Sequence, residues 1–474
     1  MKKKITPTEK IRLSDNITTS TMKVEDAMFF YNPWWTKKIS PYLVKEYKRD
    51  AFYTIEKYLG INRIILIKGP RRVGKTTIMY QMIDNLLKQV NPTQVLYVPF
   101  DDPKLRDFDK VIDFYQSRIL KAGLEKKQAY LFLDEIQYLR DWQYHVKRYY
   151  DRNYPVKFVV SGSSATLIRK GTESLMGRTV EEILPPFSFR EFLQYRLDER
   201  ITLKLDALDS LTIKKYEKDA KILFEEYLLK GGFPNIFEIE EIGIWQKLIR
   251  DDVIDKVIYR DIVSLYDIKK PELLEKLFMY LTGINVSNIS NSIGLSREYV
   301  NRYLLYLKNA YFIRGVKKYA KSIEKIVRSN EKVYILDPAI INSLLNKTSI
   351  DDEFAGHLVE SVIAEYLAGY EHYYWREYYE VDFIVKIRNR LMPIEVKYKS
   401  QIRKKDLNGL LNFPSLSPHT LTLSSPILYR LKNSLSSIVS PQNSSTSSSL
   451  PVESLDYLFR NRVQYLNHTK QFSR

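Results

Sequence analysis

Two groups of residues in this chain have the types and spacing for chemistry. The first is Gly69-Pro70-Arg71-Arg72-Val73-Gly74-Lys75-Thr76, followed by Thr77, which satisfies G-x-x-x-x-G-K-[ST] between an apolar β-branched run and a helical pattern. Glycines in such a loop let backbone N–H groups wrap phosphates, and the start of the helix adds positive potential. Lys75 is then expected on the β- and γ-phosphates of ATP and the Thr76 hydroxyl on Mg²⁺. The run "YLFLDEIQ" supplies the complement. Asp134 stands at the strand exit where the Mg²⁺-coordinating carboxylate belongs, and Glu135 beside it is placed to take a proton from an attacking water. In "VVSGSSATL", Ser161, Ser163 and Ser164 suit γ-phosphate sensing or water orientation, or simply helix capping. Arg178 in "MGRTVEE" is a candidate charge stabiliser offered to a neighbouring subunit, or a solvated surface arginine.

The second group lies in "EVDFIVKIRNRLMPIEVKYKS", residues 380–400. A strand, the basic turn "KIRNR" and a second strand would bring Asp382 and Glu395 to neighbouring strand ends, where oxygen ligands suit Mg²⁺ or Mn²⁺. Lys397 falls on the face of Glu395, two residues away, and could activate a metal-bound water against a phosphodiester. The alternative is a strand pair whose acids and lysine are solvated.

The elements that must position these residues alternate. Short apolar runs at 93–100, 129–135 and 156–162 follow the strand of the phosphate loop, separated by helical segments, which predicts a parallel sheet buried on both faces. Helical pattern then fills 193–270, broken at "KGGFPN". Residues 271–347 read as a winged helix-turn-helix, with a tight turn at Gly294-Leu295-Ser296 and two strands around a basic loop. Arg297, Asn301 and Arg302 on its second helix and Arg314, Lys317, Lys318, Lys321 and Lys325 around the wing could meet DNA, and packing within the chain is the equal alternative. The expected boundaries are a lead segment 1–40, an ATPase domain 41–192, a helical lid 193–270, the winged helix 271–347, an α/β domain 348–412 and a serine-rich, poorly ordered tail 413–474.

Composition narrows the classes. The 75 Lys+Arg against 57 Asp+Glu give +18, the bulk signature of a chain that meets polyanions. With no cysteine there are no disulfides, thiolate zinc sites or cysteine nucleophiles, and five scattered histidines offer no His-x-x-x-His pair. A basic start without an apolar run, and no stretch near the length of a membrane span, predict a cytoplasmic protein without a membrane partner.

With "NPWW", "GPRRVGKTT", "LFLDEIQ", "SGSSA", "MGRTVEEILPPFSFREFL", "GGFPN", "YRDI" and "GHLVES…EVDFIV…IEVK" in hand, the chain resembles the archaeal and bacterial P-loop ATPases of the AAA+/STAND-related group (AAA_14 with C-terminal DUF4143), over about residues 30–400. The resemblance implies an α/β fold: a P-loop parallel sheet with helical lid, a winged helix and a C-terminal domain similar to PD-(D/E)xK nucleases. It implies that Pro234 touches adenine and that Glu360, Asp382, Glu395 and Lys397 form a nuclease motif, although this chain turns serine-rich where the family continues with a helix and a strand. The expected function is Mg-dependent ATP hydrolysis driving a switch or motor on DNA, in a chain that could form homo-oligomers. The rival readings are a STAND-like signalling or defence ATPase whose C-terminal modules bind protein, and a regulatory or toxin–antitoxin DNA-binding protein.

Overall fold

The computed structural model describes residues 23–163, 175–197, 210–282, 293–387, 390–398, 403–414 and 422–424. Five parallel strands form the first sheet: β1 (Ile64–Gly69), β2 (Val95–Pro99), β3 (Ala129–Asp134), β4 (Val156–Ser163) and β5 (Thr179–Ile183), in the order β2-β3-β4-β1-β5. The first four are nearly continuous apolar runs and are buried except for the half-buried Tyr130 and Val156, as a sheet covered on both faces requires. β5 was not anticipated. Its sequence, "TVEEI", is polar and half exposed because it forms the edge of the sheet. The opposite edge, β2, is covered by the lead segment. Asn32 donates to the Tyr97 carbonyl and accepts from its N–H, and the indoles of Trp34 and Trp35 both donate to the Val95 carbonyl, at 3.0 and 2.9 Å.

Helices α1 (Val24–Tyr31), α2 (Asp50–Tyr58), α3 (Lys75–Leu86), α4 (Phe108–Phe114) and α5 (Trp142–Asp151) flank this sheet. After β5 come α6 (Phe189–Arg196), α7 (Ser210–Lys230) and α8 (Ile242–Ile249). The last runs on through π-helical turns at Arg250–Ile254 and Lys256–Ile262 to Tyr266. Then follow α9 (Pro271–Leu281), α10 (Arg297–Asn309), β6 (Ile313–Lys317), α11 (Ile323–Val327), β7 (Glu331–Ile335) and α12 (Pro338–Leu345), with β6 and β7 as an antiparallel pair. The middle helix expected for the winged unit falls on residues 283–292, outside the described set. One apolar core runs from the sheet through α7, α8, α9, α10 and α12, including Phe233, Trp245, Phe278 and Phe312, so no separate core divides residues 193–270 from 271–347.

The chain crosses between these parts at a backbone seam. Leu184 N–H donates to Lys68 O (2.7 Å), Phe187 N–H to Gly232 O (2.7 Å), and Gly232 N–H to the buried Asp337 carboxylate (2.8 Å). A Cβ at Gly69 would stand 2.1 Å from Leu184 O, and one at Gly232 would stand 2.1 Å from Phe187 O, so both contacts exclude a side chain.

The last unit opens with α13 (Asp352–Tyr366), followed by β8 (Glu371–Arg376), β9 (Glu380–Ile387), β10 (Arg390–Val396), α14 (Asn408–Leu411) and β11 (Thr422–Ser424). The sheet order is β11-β10-β9-β8, and β11 pairs parallel with β10. Of these, β11 lies inside the segment expected to be tail. Within that segment, 415–421 and 425–474 lie outside the described residues. Among the described residues, no helix is long and apolar enough to cross a membrane.

Candidate functional site: an ATP site and a second acidic pocket

β1 delivers the chain to the phosphate loop and α3 begins at Lys75, so the loop spans the turn between a buried strand end and a helix start. Lys75 Nζ donates to the carbonyls of Gly69 (3.1 Å) and Pro70 (2.8 Å). Burial lowers its pKa, against the opposing charges of Glu135 and Asp134. Asp134 is the hub of the site. Its Oδ2 accepts from Thr76 Oγ1 (2.6 Å) and from Tyr97 OH (2.9 Å), and its Oδ1 accepts from the Ser161 hydroxyl and from Glu135 N–H (3.0 Å). Burial, and then the charge of Glu135, raise the Asp134 pKa, while Ser161, Thr76 and Tyr97 pull it down. A hydroxyl and a carboxylate in direct contact beside the phosphate loop are the hard oxygen ligands magnesium takes, so Thr76 and Asp134 fit a Mg²⁺ ion.

Glu135 follows in a left-handed conformation (φ 49°). That conformation carries a backbone cost of about 1–3 kcal/mol, met here by surrounding contacts. Its N–H is bonded to Asp134 and Ser161, and the Gln137 amide donates to its carboxylate. Ser161 therefore orients both acids. Ser163 ends β4, and Ser164 lies outside the described residues.

The rest of the site was not visible in the motif. Arg49 donates to the carbonyls of Val73 in the loop (3.0 Å), Pro185 (2.7 Å) and Pro186 (3.2 Å) and pairs with Glu191 at 2.7 Å, tying the loop to the exit of β5. Both loop arginines are held by the α8 extension. Arg71 makes a two-pronged bond to Asp261 (2.9 and 2.7 Å), and Arg72 pairs with Asp252 at 2.9 Å. Tyr138, three residues past Glu135, has the guanidinium groups of Arg106 and Arg260 over its ring at 5.2 and 5.1 Å, and its hydroxyl accepts from Arg71 at 3.3 Å. Arg260 and Asp261 both belong to the run "YRDI".

One expected site residue stands apart. Arg178 lies at the far end of the sheet: its carbonyl accepts from Ile64 N–H, and its guanidinium pairs with Asp151 at 2.5 Å. The six residues of β1 separate it from the loop, a rise of about 17 Å. Pro234 opens a short 3-10 turn just beyond Gly232, on the segment bonded to Phe187.

The second group also assembles. Phe383 pairs with Ile394 across the β9–β10 hairpin, which sets Asp382 beside Glu395, and Asp382 Oδ2 accepts from Val396 N–H at 2.9 Å. Lys397 Nζ reaches Glu395 at 2.5 Å and Asp382 at 3.6 Å. Glu360 arrives from α13. Burial and then the Asp382 charge push Glu395 up to about 7 and also raise Glu360. The pocket holds one group that the motif does not contain. Lys332 of β7 places its ammonium 2.9 Å from Glu360, 3.0 Å from Glu380 and 3.4 Å from Asp382. Among the described residues, no group of three or more His, Cys, Asp or Glu side chains is placed to hold a metal ion.

Three family models match parts of this chain. Residues 61–193 match the AAA domain family AAA_14, residues 221–351 a domain of unknown function (DUF8612) and residues 355–438 the domain of unknown function DUF4143. An uncharacterized protein of Methanocaldococcus jannaschii is 27% identical over 377 residues, covering 75% of this chain and 77% of its own. An uncharacterized protein of Haemophilus influenzae is 25% identical over 363 residues, 74% and 86% of the two chains. Among solved structures, the Aeropyrum pernix ORC1 protein in complex with DNA aligns at 14% identity over 65% of this chain and 95% of its own, with a TM-score of 0.27. The nucleotide site, the AAA_14 match and the C-terminal DUF4143 match together support a P-loop ATPase that carries both domains.

Proposed function

We propose that the chain is a Mg-ATP-driven switch acting on DNA, in which occupancy of the phosphate loop is passed to the α8 extension and on to α10. The observation that carries this reading is that both loop arginines, Arg71 and Arg72, are paired with carboxylates of that extension, Asp261 and Asp252. A triphosphate offers competing oxygens to the same guanidinium groups, so loading and helix docking draw on one set of charges. When bound, Mg²⁺ draws charge from the phosphate oxygens. Around it the chain's own groups divide the work. Lys75 binds phosphate, Asp134 and Thr76 hold the ion, and Glu135, oriented by Ser161 and Gln137, accepts the proton of the attacking water.

The DNA part of the proposal rests on α10. Arg297, Asn301 and Arg302 are exposed on it, and Lys321 and Lys325 are exposed nearby in the 318–330 connection. The wing is less available, because Arg314 pairs with Glu365 at 2.8 Å and Tyr319 N–H donates to Tyr374 O in the last sheet. That docking favours the second reading, in which the module packs within the chain and the partner is a protein.

The discriminating experiment measures ATP turnover with and without single-stranded, duplex and branched DNA, for wild type and for Arg297→Glu/Arg302→Glu. Stimulation by DNA that falls with salt and disappears in the variant supports the proposal. Turnover indifferent to every DNA overturns it in favour of the protein-binding switch.

A further inference from the structure

The acidic pocket between β7, α13 and β9 already holds a cation. Lys332 and Tyr334 share one face of β7, two residues apart, and both point at the C-terminal domain. Tyr334 packs on Phe383 with ring centroids 5.4 Å apart and donates to Glu360 at 3.3 Å. The ammonium between them has three N–H donors and three carboxylates within reach, contributed by α13 and by the first and third residues of β9. Burial opposes its charge, but Tyr334 and the carboxylates of Asp382, Glu360 and Glu380 outweigh it and hold the group well above the usual lysine range.

Four carboxylates (Glu360, Glu380, Asp382 and Glu395) face three cations, Lys332, Lys397 and Arg376, which pairs with Glu380, so most of the acidic charge is met by the chain's own side chains. Magnesium requires oxygen ligands at about 2.0–2.1 Å, whereas the three acids here are spread around a nitrogen. To admit the ion they would have to close on a centre that Lys332 had left. Lys332 shares β7 with Tyr334, whose ring packs on Phe383 in the same interface.

We propose that Lys332 is the resident cation of this pocket: its ammonium occupies the carboxylates of Glu360, Glu380 and Asp382 that a divalent ion would need, so the lysine and a bound metal exclude one another there. The pocket is then a joint between the β6–β7 hairpin and the C-terminal sheet. This is independent of the ATP-switch reading, since it concerns neither nucleotide nor DNA.

The test is a Mn²⁺ titration of nucleotide-free full-length protein, with bound ions counted by electron paramagnetic resonance. The chains compared are wild type, Asp382→Asn, Lys332→Met and Lys332→Met/Asp382→Asn. Asparagine at 382 keeps an oxygen for the Val396 N–H. Wild type and Asp382→Asn are expected to bind the same number of ions, Lys332→Met to gain one, and the double variant to lose that one again. A wild type that binds one ion more than Asp382→Asn overturns the proposal, as does a folded Lys332→Met that gains none. Should Lys332→Met fail to fold by circular dichroism, the comparison of wild type with Asp382→Asn decides alone: equal counts support the resident lysine, and an extra ion in wild type refutes it.

Discussion

Removing the contact between Arg71 and Asp261 should release the α8 extension from the phosphate loop by an amount that a double-mutant cycle can read. The two side chains are 14% and 5% exposed and form two parallel charge-assisted bonds, so solvent screens them little. Deleting one member leaves the other buried without its partner, a loss of about 3–5 kcal/mol in comparable buried pairs. Asp261→Ala should therefore weaken docking of residues 250–262 by about 3 kcal/mol, since it strands a guanidinium beside Lys75. Arg71→Ala should cost about 2 kcal/mol, because the carboxylate it strands can be protonated or hydrated. With both gone nothing is stranded, and the double variant should lose only about 1 kcal/mol, leaving a coupling energy of about 4 kcal/mol. Hydrogen exchange of the amides in 250–262 measures local opening directly, and that coupling corresponds to a factor of about 10³ in the opening equilibrium. If the single losses add to the double within about 0.5 kcal/mol, the pair is not the link between loop and helix.

Glu135→Gln should bind ATP and turn over about 10²–10⁴-fold more slowly, the usual contribution of a positioned base, whereas Lys75→Ala should fail at binding; equal turnover of Glu135→Gln and wild type would remove Glu135 from the reaction. Arg178 can assist hydrolysis only from a second copy, so mixing Arg178→Ala with Lys75→Ala chains should restore turnover, and a mixture as inactive as its parts would leave Arg178 as the partner of Asp151. Burial pushes the Asp337 carboxyl up to about 7. The folded chain therefore holds that proton more tightly than the unfolded one. Its contribution to stability is full below about pH 4 and is lost as pH rises through about 7. The melting temperature of wild type should thus fall more between those values than that of Asp337→Asn, and parallel profiles would show that the carboxyl is ionised throughout.

How much of this was legible follows from sequence distance. The phosphate loop could be read because its residues are contiguous and its strand and helix are adjacent. Asp134 and Glu135 could be read because a buried strand must end before two acids. Asp382 and Glu395 could be paired because a hairpin of period two puts them opposite one another. Arg71 and Asp261 are 190 residues apart and Arg49 and Glu191 142, and no local pattern marks either pair. β5 escaped because an edge strand keeps polar residues, and "TVEEI" has no apolar alternation. Lys332 carries no mark in the sequence, and only the tertiary fold sets three carboxylates around it. The composition of the tail concealed β11 because its partner, β10, supplies the pairing.

The seam from Lys68 through Leu184, Phe187 and Gly232 to Asp337 is built almost wholly of main chain. Such a seam makes few demands on side-chain identity: it needs two positions without a Cβ and one carboxylate, and is indifferent to which apolar side chains line it. Exchange of Leu184 or Phe187 for another apolar residue leaves its hydrogen bonds in place, whereas a single methyl at Gly232 would meet the Phe187 backbone and part the two halves. The mechanical tie between the ATPase sheet and the C-terminal half is thus separable from the chemistry at either end, and sequence drift can rewrite a site without severing the tie.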